Sequence, residues 1–221
     1  MKKSNDNLIL LIVLFITALL TSNVISSNAM IITNINIGSI TLLAPAAVLA
    51  YSITFLTTDI ISQVFGKGEA NKAVKLGFIA QIICTGLIFL TPIVFGPWFQ
   101  GSKTYTALNG LGWFTLASLV AYICSQSWDV YIFHKIKEKT KKVLGNDKYY
   151  KHRWIWNNLS TISSQIIDTV LFIGIAFGIG QGMWGFDLIG LMIGQYIIKF
   201  IIALLDTPFF YFFTRKKSTN Q

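Results

Sequence analysis

The chain has 221 residues, of which 53% are hydrophobic and only 12% are charged, and its mean hydropathy is +0.61. Because a soluble domain would carry about 25% charged residues, the composition excludes an ordinary soluble protein and indicates an integral membrane protein. The net charge of +9 does not indicate a nucleic-acid partner, because the cations cluster in short segments between apolar runs, where they set membrane orientation.

Six segments of the chain are long and apolar enough to be transmembrane helices, each of which needs about 20 mostly apolar residues. We therefore predict an all-α integral membrane protein with a single domain over residues 1–221. The predicted spans are residues 8–25, 40–61, 74–94, 111–133, 159–179 and 188–213. The first apolar run is longer than a signal-peptide core, so we interpret it as a retained helix and not as a leader cleaved near Ser27-Asn28-Ala29.

The connecting segments alternate in charge, which predicts the orientation of the helices. Of 18 cations, 16 fall at the two termini, in the second loop or in the basic fourth loop at residues 134–158. Lys103 stands alone in the third loop, and Lys199 lies inside the sixth span. Because cation-rich segments face the cytoplasm, we predict six spans with both termini in the cytoplasm.

The first outer loop and the prolines suggest local departures from straight helices. Met30 to Gly38 mixes β-branched residues with turn formers, which predicts a short hairpin. Such a hairpin between Ala29 and Ile40 could cap an outward vestibule, and a plain connector is an equally good interpretation. Pro45 and Pro92 lie near the ends of their predicted spans and favour boundaries there, whereas Pro208 is expected to kink the sixth span.

Two of the predicted helices contain the same polar pattern. The segments from Ser125 to Phe133 and from Ser164 to Phe172 each carry Gln, then Asp three residues later, then Phe four residues after that. Steps of three and four residues keep side chains on one helical face. Each helix therefore presents an amide, a carboxylate and an aromatic ring in one stripe, formed by Gln126, Asp129 and Phe133 in the first and by Gln165, Asp168 and Phe172 in the second.

Five ionisable side chains lie inside apolar runs, where each charge costs roughly 2.5–3.5 kcal/mol; they are Asp59, Asp129, Asp168, Asp206 and Lys199. We expect them to face one another across an internal, partly wet cavity, with Lys199 paired to an acid on a neighbouring helix or to a ligand. Asp59, Asp129 and Asp206 lie near the predicted cytoplasmic ends of their spans, so contact with headgroup water or nearby lysines is the alternative for them. Asp206 could also serve a proton-carrying or structural role.

The chemistry of these groups suits a flat nitrogen heterocycle. A carboxylate accepts two parallel N–H bonds from the edge of an aminopyrimidine, and a Gln amide can read an adjacent carbonyl or ring nitrogen. Trp128, Phe133 and Phe172 are the candidates for stacking on the ring. A purine-like base or another planar vitamin fits this set, and an Asp could instead carry protons in a coupled transporter.

The sequence predicts neither a metal centre nor a cofactor, and it does not resemble an enzyme. The cysteines lie inside apolar runs and both histidines lie in the basic loop, so no paired metal-ligand spacing is present. The longest polar segment is too short for an ATPase domain. The Gly-x-Gly-Asp sequence of intramembrane aspartyl proteases is also missing, since Gly178-Ile179-Gly180 is followed by Gln181.

Several stretches, in order along the chain, resemble the queuosine precursor transporter family, also described as a vitamin uptake transporter family. The matching stretches are Ser22-Asn23, Phe55-Leu56-Thr57-Thr58-Asp59 with Phe65-Gly66, Ser125-Gln126-Ser127-Trp128-Asp129-Val130 with Phe133, Ser164-Gln165-Ile166-Ile167-Asp168-Thr169, Tyr196-Ile197-Ile198-Lys199 and Thr207-Pro208. The resemblance implies a six-helix membrane protein similar to the substrate-binding subunits of energy-coupling-factor transporters.

The resemblance also implies a function, namely import across the bacterial inner membrane of a 7-deazaguanine compound that supplies queuosine in tRNA. That compound would be a cyano or aminomethyl precursor or the queuine base. The expected substrate-binding residues are Asn23, Asp59, Gln126, Asp129, Gln165, Asp168 and Lys199. A transporter of another vitamin or nucleobase, and a binding subunit that hands its cargo to a partner, are the alternatives. The expected partners are the substrate and the lipid bilayer, without nucleic acid, and the oligomeric state and energy source stay open.

Overall fold

Helices account for most of the chain in the computed structural model, which describes residues 4–26, 30–37, 40–99 and 112–215. Within these ranges six long helices and one antiparallel hairpin are present. The elements are α1 (Asn5–Ser26), β1 (Met30–Ile37), β2 (Ile40–Pro45), α2 (Val48–Val64), α3 (Lys67–Phe99), α4 (Gly112–Lys148), α5 (Trp154–Ile173) and α6 (Phe186–Phe213). A 3₁₀ turn at Tyr149–His152 precedes α5, and a π-helical segment at Gly174–Ile179 extends it.

Three of the helices begin and end close to the predicted segments. α1 covers residues 8–25, α5 with its π-helical extension covers residues 159–179, and α6 covers residues 188–213. α3 contains residues 74–94 but begins seven residues earlier and runs through Pro92 to Phe99, so this proline does not form the boundary that the sequence suggested. The predicted second loop is correspondingly short, because only Phe65 and the left-handed Gly66, with φ of 96°, separate α2 from α3.

The start of the second predicted span is wrong. Residues 40–45 form strand β2, which pairs antiparallel with β1 in a register that matches Ile37 with Ile40 and Met30 with Pro45. Ile40 and Thr41 are β-branched and favour an extended strand, and Pro45 lacks the N–H that a continuing ladder would use. The predicted hairpin is therefore present, but it extends to residue 45, and helix α2 begins only at Val48.

The predicted fourth loop is also wrong in its first half. Helix α4 does not end with the apolar run at Phe133 but continues to Lys148, with a break at Gly145, whose φ is 75°. The sequence prediction ended the helix where hydrophobicity ended, yet Lys and Glu are good helix formers in water. The basic segment is thus mostly a helical extension of α4, followed by the 3₁₀ turn that leads into α5.

Several sequence predictions fall on parts of the chain outside the described residues. They are the cleavage motif at residues 27–29, Gly38 at the hairpin turn, the third loop with Lys103, and the cations Lys2, Lys3, Lys216 and Lys217. For the hairpin, the backbone course alone is described.

The bundle has an apolar exterior, and its interior combines apolar clusters with many buried polar side chains. On α3, for example, Leu87 is 60% exposed and Ile93 is 75% exposed, whereas Gln126 and Ser164 are fully buried. Exposed apolar side chains are unfavourable in water but not in lipid. Polar side chains between helices in a membrane can form hydrogen bonds with one another. In the described part of the chain, four helical segments are long and apolar enough to cross a membrane, namely Asn5–Ile25, Lys67–Gly96, Tyr149–Ile179 and Phe186–Phe213, while α2 is apolar but shorter.

Three helices meet closely at Gly77 of α3. Tyr122 from α4 is fully buried there, donates its hydroxyl hydrogen bond to the Val74 carbonyl at 2.6 Å, and lies beside Phe15 from α1. A Cβ atom at position 77 would lie 2.5 Å from the Tyr122 hydroxyl oxygen and 2.6 Å from Phe15 Cε1. The missing side chain at Gly77 therefore permits the close approach of α1, α3 and α4.

We expect Gly77→Ala to destabilise the protein by about 1–3 kcal/mol, the usual cost of overpacking. Thermal unfolding of the purified protein in detergent measures the effect. Gly86→Ala is the matched control on the same helix, because nothing lies within 4 Å of the point that a Cβ atom would occupy there. Equal unfolding temperatures for the two variants would contradict the close packing at Gly77.

Candidate functional site

A buried ion pair joins the last two helices. Lys199 Nζ on α6 lies 2.5 Å from Asp168 Oδ2 on α5, and both side chains are almost completely buried. Neither charge would be tolerated in this position alone, since an unpaired buried charge costs several kcal/mol. The prediction that Lys199 pairs with an acid on a neighbouring helix agrees with this geometry.

Two further groups hold the Asp168 carboxylate in place. The Tyr51 hydroxyl on α2 donates a hydrogen bond to Asp168 Oδ1 at 2.6 Å, and the Ser125 hydroxyl on α4 donates to the same oxygen at 3.2 Å. Lys199 Nζ also lies 5.1 Å from the centre of the Tyr51 ring, within range of a cation–π interaction. Four helices therefore converge on one carboxylate.

A narrow pocket opens next to this ion pair, toward the hairpin end of the bundle. The cavity has a volume of about 30 Å³, and α1, α2, α4, α5 and α6 all contribute to its wall. The polar lining residues are Ser22, Asn23, Tyr51, Ser118, Asp168, Gln195 and Lys199, and Phe172 supplies an aromatic ring.

The remaining polar atoms of the pocket are partly paired and partly free. Ser118 donates its hydroxyl to Asn23 Oδ1 and accepts a hydrogen bond from Gln81 Nε2 at 3.0 Å. Gln195 is 4% exposed, and its Oε1 has no hydrogen-bond partner among the described residues. A buried acceptor without a donor is costly, so Gln195 Oε1 is available to a ligand N–H.

The repeated Ser-Gln-x-x-Asp segments of α4 and α5 pair with each other reciprocally. Ser125 on α4 donates to Asp168 on α5, and Ser164 on α5 donates to Asp129 on α4 at 3.0 Å. In each segment the serine stands four residues, or about one helical turn, before the aspartate. The two antiparallel helices are therefore linked at two successive levels by the same kind of hydrogen bond.

Asp59 and Asp129 form a second buried polar group, toward the opposite end of the bundle from the hairpin. Thr161 donates to Asp59 Oδ2 at 3.0 Å, Ser164 donates to Asp129 Oδ1, and the two carboxyl groups lie close enough to interact electrostatically. Asp59 Oδ1 and Asp129 Oδ2 receive no hydrogen bond from any other described residue. No cluster of three or more His, Cys, Asp or Glu suited to a metal occurs in the described part of the chain.

The two glutamines of the repeated pattern lie in different surroundings. Gln126 is fully buried, donates to Thr54 Oγ1 at 3.1 Å and accepts from the Thr58 hydroxyl at 3.2 Å, both on α2. Gln165 is 1% exposed, and its Oε1 has no partner among the described residues. Neither glutamine lines the pocket at the ion pair.

The expected stacking residues separate into three locations. Phe172 lines the pocket. Phe133 is fully buried in the core and packs edge-on against Phe210. Trp128 is 40% exposed on the outer surface, where its Nε1 donates to Ser163, so it does not face the ion pair.

Of the predicted site residues, the structure therefore gathers Asn23, Asp168, Lys199 and Phe172 at one pocket and brings Asp59 and Asp129 together elsewhere. Asp206 is half-buried on α6 on the Asp59 side. Sequence reasoning missed Tyr51, Ser118 and Gln195, because a tyrosine, a serine or a glutamine in an apolar helix is common. The serines of the repeated segments did carry a signal, since both precede an aspartate by four residues.

The buried pair generates a stability prediction. Lys199→Met leaves the Asp168 carboxylate without its counter-charge and should cost about 3–5 kcal/mol, whereas the double variant Lys199→Met with Asp168→Asn should cost much less. Lys72→Met is the control, because its ion pair with Glu69 is exposed and contributes little. Thermal unfolding in detergent measures these variants together with the single variant Asp168→Asn, and a double-variant loss equal to the sum of the two single losses would contradict direct pairing.

Comparison with known proteins identifies relatives that are named as transporters. A Bacillus subtilis protein named "Probable queuosine precursor transporter" is 32% identical over 166 residues, covering 73% of this chain and 67% of the relative. A Haemophilus influenzae protein of the same name is 24% identical over 131 residues, covering 58% of this chain and 50% of the relative. No solved structure matches the chain.

The family assignment rests on a longer match. The family model described as "Putative vitamin uptake transporter" matches residues 45–213, which include α2 to α6 and both buried acidic groups. Together with its apolar exterior, this match identifies the chain as a multi-pass membrane protein and a transporter, not an enzyme. The protein belongs to the vitamin uptake transporter family.

Proposed function

We propose that the protein imports a queuosine precursor, a 7-deazaguanine base, and that it binds this base in the pocket beside Asp168 and Lys199. The observation that carries the proposal is the buried ion pair at the wall of a pocket in a chain whose relatives are named as queuosine precursor transporters. Buried charges inside a membrane bundle are costly and usually mark the path of a substrate or ion.

The groups that line the pocket match the hydrogen-bonding edge of a deazaguanine, and in this proposal the pocket widens from about 30 Å³ to take the whole ring. Asp168 and Gln195 Oε1 are acceptors for the ring N–H and the exocyclic amine, and Lys199 is a donor for the ring carbonyl. Phe172 provides an apolar face for the flat ring. Asn23 and Ser118, which are joined by a hydrogen bond, supply further polar atoms on the α1 side.

In the orientation that we propose from the charges, this pocket opens toward the outside of the cell. With the termini and the basic part of α4 in the cytoplasm, the hairpin end of the bundle faces outward, and Ala47 and Val48 just after β2 line the pocket. A pocket on the outer side of a bacterial inner-membrane protein is the arrangement that an importer needs to capture its substrate. Six crossings in one domain, with α2 as a short span, complete the proposed topology.

We expect Asp168→Asn and Lys199→Gln each to reduce uptake by at least about tenfold, because losing one partner of a buried charge pair costs about 2–5 kcal/mol. The assay measures queuosine in the tRNA of a host that lacks both synthesis and native uptake, supplied with the precursor in the medium. Asp187→Asn, an exposed acid on α6, and Trp128→Phe, on the outer surface, are the controls and should retain uptake. Normal uptake by both pocket variants, at wild-type protein levels, would refute the assignment of the site.

A competition assay identifies the cargo. Unlabelled 7-deazaguanine precursors should displace labelled precursor from the purified protein, whereas guanine, biotin and riboflavin at the same concentration should displace little. Stronger displacement by biotin or riboflavin would instead support a transporter of another vitamin. Uptake into liposomes that contain only this chain distinguishes a complete transporter from a binding subunit that needs a partner.

A further inference from the structure

We propose that Asp59 and Asp129 form a proton-binding site that is separate from the precursor pocket and couples import to inward proton movement. The proposal rests on the proposed function for its cargo, but the proton site itself stands on its own geometry. Neither residue lines the pocket beside Asp168.

The two carboxyl groups occupy a closed, oxygen-rich environment. Asp59 is 1% exposed and Asp129 is fully buried, and each has one oxygen bound by a hydroxyl of α5, from Thr161 and Ser164 respectively. Because Thr161 and Ser164 are three residues apart, they lie on one face of α5 and hold both carboxyl groups against the same helix. The other oxygens, Asp59 Oδ1 and Asp129 Oδ2, have no hydrogen-bond partner in the described part of the chain.

The charges around Asp59 and Asp129 favour the binding of one proton by the two carboxyl groups. Within the described residues, neither aspartate takes part in a salt bridge, and the further titratable group that acts on Asp59 is another acid, Asp206 on α6. Two ionised carboxylates in contact repel each other strongly in a buried site, and one proton held between them removes both the repulsion and the missing donor. The carboxyl pair, with its two donor-less oxygens, is therefore built to hold one proton.

The pair is connected to the precursor pocket through two hydroxyl groups. Ser164 binds Asp129 and lies one turn from Asp168 on α5, and Ser125 binds Asp168 and lies one turn from Asp129 on α4. A change in the charge of the pair alters the Ser164–Asp129 hydrogen bond and, with it, the packing of the two helices that carry the pocket. This contact provides a physical route between the two sites.

The proton balance of the proposed cycle is simple. A proton from the outer aqueous side forms an O–H bond on one carboxyl group of the pair before the precursor enters the pocket. After the bundle opens inward, that O–H bond breaks and the proton leaves to the cytoplasmic side, where Asp206 lies on the same side of the bundle as Asp59. One precursor and one proton enter together, and the protein returns to its starting state.

Purified protein in liposomes tests the coupling, with the labelled cyano precursor as the probe because it is uncharged and does not distribute with pH by itself. A gradient of one pH unit, acid outside, corresponds to about 1.4 kcal/mol per proton and so to about tenfold accumulation. We expect wild-type protein to approach this accumulation. Asp59→Asn and Asp129→Asn, in which the amide replaces the shared proton as donor, should still exchange labelled for unlabelled precursor but reach only equal concentrations on both sides. Asp187→Asn is the matched control and should accumulate the precursor like the wild type.

A second measurement needs no precursor. The infrared spectrum of the wild-type protein at neutral pH should contain the C=O stretching band of a protonated carboxylic acid, and this band should disappear in Asp59→Asn and in Asp129→Asn but not in Asp187→Asn. Absence of the band, or accumulation in both Asn variants equal to the wild type, would overturn the proton site. Accumulation that follows a sodium gradient and ignores the pH gradient would also overturn it. A band without any binding of the precursor would refute the proposed cargo while supporting the proton site.

Discussion

The contact between Asp168 and Lys199 constrains the rest of the bundle. Both groups are buried where water cannot solvate them, so each is stable only with the other at hydrogen-bonding distance. α5 and α6 must therefore stay in one register. Tyr51 and Ser125 donate hydrogen bonds to the Asp168 carboxylate, which holds α2 and α4 against the same residue. The pocket exists because these four helices meet at a charged group that they cannot cover with hydrocarbon.

The duplicated polar segments explain how two acids can be buried in adjacent helices without a cation for each. Ser125 and Ser164 each donate a hydroxyl hydrogen bond to one carboxylate oxygen of the aspartate on the opposite helix. Polar groups between transmembrane helices stabilise association through such hydrogen bonds. The exchange leaves one acid, Asp168, free to pair with Lys199, and the other, Asp129, free to pair with Asp59.

The sequence predicted the features that depend on composition and spacing, and it failed where local geometry decides. The cost of charge in lipid led to the prediction that Asp129, Asp168 and Lys199 face one shared cavity. All three are buried, but only Asp168 and Lys199 line the pocket. The separation of the Asp168–Lys199 pair from the Asp59–Asp129 pair was not predictable. Spacing along one helix shows which side chains share a face, but it does not show which neighbouring helix that face contacts. Residues 40–45 were assigned to a helix because apolar runs of strand and helix look alike over short lengths. The basic part of α4 was missed because a helix need not end where its apolar stretch ends.

Asp129 on α4 and Asp168 on α5 belong to different buried polar sites, but the two helices that carry them are packed against each other. Asp129 and Ser125 are one turn apart on α4, and Asp168 and Ser164 are one turn apart on α5. The Ser125–Asp168 and Ser164–Asp129 hydrogen bonds therefore join the same two helices at adjacent turns. A shift of α4 against α5 that breaks one of these bonds strains the other, because packed helices have discrete arrangements and do not deform continuously. If the two sites bind their ligands as proposed, occupancy of one site changes the stability of the hydrogen bond at the other without any contact between the two ligands. The proposed coupling therefore acts through the same pair of helices, α4 and α5.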